Sequence, residues 1–167
     1  MIKILIAALL TVSLMTVTGC KKASEKLTEK IVEKAIEREG GGKAAVDIQE
    51  GKVTIKTKDG TMEAATGSSA KIPDGFPKDV HVIKNATITM SLKTPDAFQL
   101  MIETKDSVEN AASQYSAEMK ASGWNEETNM NMGESVMHAY KKGNRQASII
   151  ITKGQQGAQI QIVASPE

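Results

Sequence analysis

Residues 97–124, AFQLMIETKDSVENAASQYSAEMKASGW, contain the change of hydrophobic period that decides the fold. Phe98, Leu100 and Ile102 recur at every second position, which is typical of a strand with one buried face. From residue 107 to residue 121 apolar residues recur at helical spacing, and the predicted buried face consists of Val108, Ala111, Ala112, Tyr115 and Met119. Gly123 is expected to end this helix, and Trp124 enters the next segment. The stretch therefore predicts a strand followed by a helix.

Strands are predicted on both sides of this helix. Asp106 and Glu109 resemble a capping box and place the helix start near residue 107. A strand is expected before it at 86–93, with its inward residues predicted as Ile88, Met90 and Leu92. Three more strands are expected after it, at 126–132 continuing to 135–141, at 145–152 and at 157–164. The order β-β-α-β-β-β predicts an α+β domain over residues 86–167, with one helix packed on an antiparallel sheet.

Alternating residues also occur upstream, in residues 45–66. Turn signals at Glu50-Gly51 and Asp59-Gly60 divide this segment into three short runs, which predicts a small β-meander. A meander of this size is not expected to be stable alone. Residues 67–85 are rich in Pro, Gly and Ser and are predicted to be a connector. The pattern leaves open whether the meander joins the main sheet or stands apart.

Residues 20–44 are predicted to form a segment that begins at Cys20 and contains a charged helical stalk. Glu and Lys or Arg repeat with a period near four over residues 24–39, and a narrow apolar stripe consists of Leu27, Ile31, Val32, Ala35 and Ile36. Ser24 is the expected N-cap and Gly40 the expected stop, with a flexible joint at 40–42. The stripe could pair with another helix or lie on a lipid surface. The charge balance favours a solvated spacer.

The overall composition excludes some classes of function. The 167 residues carry a net charge of +1, so the chain lacks the basic surface that nucleic-acid binding requires, and no nucleic-acid partner is expected. Only 3% of the residues are aromatic, so the core must consist mainly of aliphatic residues and methionine. Cys20 is the single cysteine, which excludes an internal disulfide.

The N-terminal residues predict export. Residues 1–20 read MIKILIAALLTVSLMTVTGC, in which Lys3 precedes an uncharged run, as in a secretory signal peptide. The last four residues, VTGC at 17–20, resemble the lipobox of bacterial lipoproteins. That resemblance implies that residues 1–19 are removed as a signal peptide and that Cys20 is acylated with fatty acids such as palmitate, which anchors the protein to a membrane. Lys21 after the cysteine implies the outer membrane, facing the periplasm, where the source is Gram-negative.

Three further segments resemble small envelope lipoproteins of uncharacterised function. They are IPDGFPKDVHVIKNATITM at residues 72–90, Gly123-Trp124, and the pattern Tyr140-x-Lys142-x-x-Arg145. The resemblance covers about residues 45–165. It implies a cell-envelope location and provides no catalytic residues.

The common signatures of catalysis are absent from the sequence. The two histidines, His81 and His138, belong to no H-E-x-x-H motif, and no C-x-x-C or G-x-S-x-G occurs. Ser135 and His138 lie three residues apart in a predicted strand, which places them on opposite faces. The sequence therefore predicts neither an enzyme nor a cofactor.

Residues 129–138, NMNMGESVMH, provide one chemical hypothesis. Met130 and Met132 share a predicted strand face, and Met137 and His138 follow closely. Thioether sulfur is a soft ligand that suits Cu(I), so these four residues form a hypothetical metal set. The competing interpretation, that the methionines fill gaps in an aromatic-poor core, is favoured by composition.

Two functions remain open on these grounds. The first is a non-catalytic interaction or scaffold domain at the membrane surface, held by lipidated Cys20 and contacting an envelope protein. The alternative is a binding module for a small ligand or a soft metal ion, using the sheet face opposite the helix. An exposed apolar sheet face would favour the first, whereas a deep pocket with converging polar groups would favour a ligand.

Overall fold

The structure, a computed structural model, describes residues 21–38 and 43–167, with the side chains of the first helix described at residue 26 and from residue 28 onward. The predicted signal peptide, Cys20 and the glycine joint at 40–42 lie outside the described residues. The helices are α1 (Lys21–Arg38) and α2 (Val108–Ala121), and the strands are β1 (Ala45–Gln49), β2 (Lys52–Thr57), β3 (Gly60–Thr66), β4 (Thr87–Lys93), β5 (Phe98–Thr104), β6 (Asn125–Asn131), β7 (Ser135–Lys142), β8 (Arg145–Lys153) and β9 (Ala158–Ala164). Within these ranges, neither helix has the length and apolar character needed to cross a bilayer.

The nine strands of the described ranges form one antiparallel sheet in the order β1-β2-β3-β4-β5-β9-β8-β7-β6. This confirms the predicted α+β class, in which a helix packs on an antiparallel sheet. β3 pairs with β4, with Ala65 opposite Ser91, so the meander at 45–66 is continuous with the later strands.

The segment after α2 differs from the prediction. The sequence pattern predicts one continued strand from 126 to 141, but residues 125–142 form the β6–β7 hairpin, so the order is β-β-α-β-β-β-β. The amide of Met132 donates to the carbonyl of Ser135 at 2.8 Å and closes the turn. Gly133 has a φ of 76°, a left-handed conformation that glycine adopts without a Cβ clash. The chain therefore reverses where the sequence pattern indicates continuation.

β4 contains a second departure from the predicted pattern. Ile88 lies opposite Ile102 and faces the core as expected, but the next paired residue is Met90, opposite Met101. The extra residue between them is a β-bulge, which reverses the side-chain alternation. Met90 and Leu92 therefore face away from the core, and Ser91, which is 5% exposed, faces inward.

Both helix starts differ slightly from the prediction, while the buried face of α2 is confirmed. Ser24 lies within α1 rather than capping it. The N-cap of α2 is Ser107 rather than Asp106, because the Ser107 hydroxyl accepts a hydrogen bond from the amide of Asn110 at 3.2 Å. The buried residues of α2 are those predicted: Val108, Ala111, Ala112, Tyr115 and Met119.

The main core lies on the face of the sheet that carries α2, which we call the inner face. Leu100, Ile149 and Ile160 are fully buried there beneath the helix. The connector at 67–85 also packs on this face: Val80 is 4% exposed, and Phe76 meets Phe98 edge to face with ring centroids 5.7 Å apart. α2 and the connector together close the inner face.

α1 packs at the other end of the sheet, on the edge strand β1. The Glu33 carboxylate accepts a hydrogen bond from the amide of Val46 at 3.1 Å, and the Glu29 carboxylate accepts one from the amide of Ile48 at 2.9 Å. Ile36 packs with β1 and β2 in a second small core. α1 therefore runs antiparallel to β1 and satisfies amides that an edge strand otherwise leaves open.

Candidate binding surface

The face of the sheet opposite α2 is the candidate binding surface. Directly opposite residues on neighbouring strands share a face, so the pairing register defines which side chains lie there. One row crosses six strands from β6 to β4: Met130, Met137, Ile150, Gln161, Met101 and Met90. A second row runs beside it: Thr128, Ala139, Ser148, Val163, Gln99 and Leu92. We refer to these two rows as the open face.

The open face holds an unusual share of the methionines. Seven methionines follow residue 20, and of these only Met119 has the role in the main core that composition favours for methionine. Four of the others belong to the open face: Met90, Met101, Met130 and Met137. Methionine is flexible and polarizable, and it is frequent on surfaces that adapt to apolar partners. The register of the sheet thus gathers residues that are scattered along the chain.

The open face is also uncharged, although 25% of the chain is charged. On the same side of the sheet, the charged residues Glu103 and Lys141 lie near the ends of their strands. Met130 is 46% exposed, whereas the other apolar residues of the two rows are partly buried. Interface cores are depleted of Lys, Glu and Asp and enriched in methionine, which is the composition seen here.

The hypothetical metal set is divided by the sheet. Met130 and Met137 lie directly opposite each other on β6 and β7, and Met132 lies in the adjoining turn with 53% exposure. His138 faces the inner side and is 1% exposed, so it does not join the three methionines. Within the described ranges, no group of three His, Cys, Asp or Glu side chains is placed to hold a metal ion.

His138 belongs instead to a buried polar cluster beside α2. Its Nδ1 lies 2.7 Å from Oε1 of Glu126, and Lys120 Nζ lies 3.0 Å from Oε2 of the same carboxylate. Burial would raise the pKa of Glu126, but the hydrogen bonds from Lys120 and His138 outweigh it and hold this pKa below its usual range. Burial raises the pKa of Tyr140, which donates to the same carboxylate at 3.4 Å. The cluster joins the last turn of α2, through Lys120, to β6 and β7.

The residues that carry the resemblance to envelope lipoproteins meet in a second cluster. The Asp79 carboxylate accepts two hydrogen bonds from Arg145, at 3.0 and 2.5 Å, and lies 2.6 Å from Lys142 Nζ. The indole of Trp124 donates to the Asp79 carbonyl at 2.9 Å, and the Arg145 guanidinium lies 4.9 Å from the indole centroid. These contacts join the connector to the β7–β8 hairpin. No local pattern predicts them, because 66 positions separate Asp79 from Arg145.

A groove of about 820 Å³ lies at one end of the strands, next to the β8–β9 loop at 154–157. Its lining is polar and includes Glu103, Lys105 and the exposed pair formed by Glu134 and Lys153, whose charged atoms are 2.6 Å apart. The hydrogen bond that Lys153 donates to the Glu134 carboxylate raises the pKa of Lys153. The groove offers hydrogen-bonding groups rather than an apolar pocket.

Comparison with known protein families identifies a similarity in the second half of the chain. Residues 85–166 match the family model described as START domain-like. The matched segment begins just before β4, extends to the end of β9 and covers just under half of the chain. No curated protein and no solved structure matches the sequence. All twelve open-face positions fall within the matched segment.

Proposed function

We propose that this chain is an exported, lipid-anchored envelope protein whose sheet domain is a non-catalytic binding module. The open face is the binding surface, and its occupant is an apolar, amphipathic segment of another envelope protein. The observation that carries this proposal is the uncharged, methionine-rich composition of the open face. The match of residues 85–166 to a START domain-like family favours a binding module as well.

The size of the open face suits a single segment of a protein partner. Six strands spaced by about 4.8 Å are about 29 Å wide, and the two rows cover about 14 Å of each strand. The resulting area is roughly 400 Å², about half of the ~800 Å² that one partner contributes to a standard interface. One helix of about 10 Å diameter is wide enough to cover most of this strip.

α1 indicates the kind of segment that binds this side of the sheet. Its Val32 and Ile36 pack with Val53 and Met62, which point to the same side as the open face. An amphipathic helix therefore already covers the β1–β2 end. We infer that a helix of similar character from the partner lies across the remaining strands.

The proposed location rests on the lipobox at 17–20. Cys20 directly precedes α1 in the sequence, and α1 runs antiparallel to β1, so the N-terminal end of α1 lies toward the β1–β2 turn. An anchor there holds the sheet by the ends of its strands. The open face then remains accessible to a partner from the side.

Site-specific photocrosslinking in intact cells tests the docking proposal. A photoreactive residue at Met101 or Ile150, within the open face, should give the same discrete crosslinked protein. The matched control is Gln114, an exposed position on α2 across the sheet. Met101→Lys should abolish the crosslinked product that forms when the photoreactive residue replaces Ile150. Equal crosslinking from Gln114, or insensitivity to Met101→Lys, would contradict the proposal.

A second candidate function is favoured by the groove at the strand ends. Its volume of about 820 Å³ falls within the usual range for small-molecule sites, and it lies mostly within the START domain-like match. A polar small molecule would be held by Lys105 and Lys153. Mass spectrometry of the protein purified from membranes should then detect a bound compound that Lys105→Ala/Lys153→Ala loses. Identical spectra from the two proteins would exclude this candidate.

A further inference from the structure

We propose that the corner of the open face formed by the β6–β7 hairpin binds a soft monovalent cation, Cu(I) or Ag(I), through the thioethers of Met130, Met137 and Met132. This site does not depend on the docking of a protein partner. It uses three sulfur donors that the sequence places within eight residues and that the hairpin gathers at one edge of the sheet.

The register supplies the first two donors. Met130 and Met137 are directly opposite residues on β6 and β7, and both point to the open face. Directly opposite Cβ atoms are about 4.5–5.5 Å apart. Each methionine has three rotatable bonds beyond Cα. The two sulfur atoms can therefore reach one ion without movement of the backbone.

Met132 supplies the third donor. It lies two residues beyond Met130, and its amide closes the hairpin by donating to the carbonyl of Ser135 at 2.8 Å. Its side chain is 53% exposed, and its position two residues beyond Met130 places it on the strand face of the Met130–Met137 pair. A neutral set of thioethers selects soft ions such as Cu(I), whereas Mg²⁺ and Ca²⁺ prefer oxygen and Zn²⁺ prefers thiolate or imidazole.

Packing alone does not account for methionine at this corner. Met130 and Met132 are among the four large apolar residues that remain exposed in the described part of the chain. A side chain that is half exposed gains little from the hydrophobic effect. β6 is also an edge strand, where polar or charged residues protect against aggregation. Exposed sulfur at an edge is suited to coordination.

His138 does not contribute to this site. Its ring lies on the inner face, and its Nδ1 is engaged by Glu126 at 2.7 Å. The hypothetical set of three methionines and one histidine is thereby reduced to the methionines. The direct pairing of Met130 with Met137, and the exposure of Met130 and Met132 at one corner, replace sequence proximity as the evidence for the site.

The open face contains a matched control pair. Met90 and Met101 are also directly opposite, on β4 and β5, but they lie in the interior of the sheet and are partly buried. They have the same chemistry and pairing without an exposed third donor. Met119, buried in the main core, provides an internal reporter of folding.

The test is titration of the purified full-length protein in detergent with silver nitrate, observed by NMR of ¹³C-methyl methionine. One equivalent of Ag(I) should shift the methyl signals of Met130, Met132 and Met137 and leave that of Met119 in place. Zn(II) should shift none of them. Met130→Leu/Met137→Leu should weaken Ag(I) binding by more than about tenfold, because loss of even an outer-shell partner of a metal ligand costs about 10–100-fold. Cu(I) binding can be measured under reducing conditions by competition with a chromogenic chelator. Cu(I) should likewise bind more tightly to the wild type than to Met130→Leu/Met137→Leu.

The control variant decides the location of the site. Met90→Leu/Met101→Leu should bind Ag(I) as the wild type does. Wild-type binding by Met130→Leu/Met137→Leu, or equal shifts of all methionine methyls, would overturn the proposal. Leucine conserves volume, and an unchanged Met119 signal confirms that each variant is folded. Photocrosslinking from Ile150 is a separate measurement, so failure of the metal site and failure of the docking proposal are distinguishable.

Discussion

Replacement of Asp79 by asparagine tests the cluster that holds the connector on the sheet. The substitution Asp79→Asn keeps the shape of the side chain and removes its charge. Arg145 and Lys142 would then lack the carboxylate that both now contact. We expect the free energy of unfolding to fall, because two cations would remain close together without a counter-charge.

The magnitude follows from the pKa of Asp79. The hydrogen bond from Arg145 is the largest cause of its shift; burial opposes it and Lys142 adds to it, and the pKa falls from 3.8 to about 2. At about 1.4 kcal/mol per pKa unit, this difference corresponds to roughly 2 kcal/mol of stability. The side chain of Asp79 is 21% exposed, so screening by solvent makes this value an upper bound.

The effect should depend on pH in a defined direction. The folded pKa of Asp79 lies below the unfolded one, so its stabilisation is complete at pH values above the unfolded pKa of 3.8 and is lost as the pH falls through about 2. Wild type and Asp79→Asn should therefore differ by up to ~2 kcal/mol at neutral pH and converge in acid. Other carboxylates affect both proteins equally and cancel in the difference.

Urea unfolding followed by the fluorescence of Trp124 measures this difference directly. Trp124 is the single tryptophan and contacts both Asp79 and Arg145. The control is Asp96→Asn, at an exposed position in the turn before β5, which should change stability by less than about 0.5 kcal/mol. A difference between wild type and Asp79→Asn that stays constant from pH 7 to pH 2 would refute the assigned role of the charge.

Three further outcomes are expected. Glu29→Ala/Glu33→Ala should speed hydrogen exchange of the Val46 and Ile48 amides by at least about tenfold, because each charge-assisted hydrogen bond contributes about 1.5–3 kcal/mol. The amides of β8 should stay protected. Gly157→Ala should lower the free energy of unfolding, measured by urea titration, by roughly 3 kcal/mol or more, because the added Cβ would lie 2.2 Å from the backbone oxygen of Thr104. Gly133→Ala is the control: a Cβ there meets open space, so only the backbone strain of about 1 kcal/mol is expected. Cys20→Ala should release the protein from membranes or leave it unprocessed, as fractionation and gel mobility would show; wild-type behaviour would contradict lipidation.

Local periodicity is sufficient to predict much of the fold. The inward residues Phe98, Leu100 and Ile102 and the buried face of α2 follow directly from alternation and helical spacing. Turn residues also locate the meander hairpins: Glu50-Gly51 forms the connection between the paired residues Gln49 and Lys52 as predicted. The second turn lies one residue earlier than predicted, at Lys58-Asp59, because Gly60 pairs with Thr57. These features depend only on neighbours in the sequence.

Features that depend on pairing between distant segments cannot be predicted in this way. The bulge beside Thr89 turns Met90 and Leu92 outward, and nothing in the local pattern of β4 marks the extra residue. The ion cluster of Asp79 likewise forms only when the connector meets the β7–β8 hairpin. The open face results from the register of the whole sheet, which composition does not contain. A prediction from composition alone therefore places these methionines in the core.

The structure of the two edge strands explains why a partner is expected to bind the open face rather than an edge of the sheet. The β1 edge is occupied by the carboxylates of Glu29 and Glu33, which accept from its free amides. The β6 edge is interrupted by a bulge between Glu126 and Thr128, where the exposed residue Glu127 lies. Bulges and charges on an edge strand discourage the addition of another strand. Since α2 and the connector close the inner face, the uncharged rows between these edges form the apolar surface that remains available to a partner.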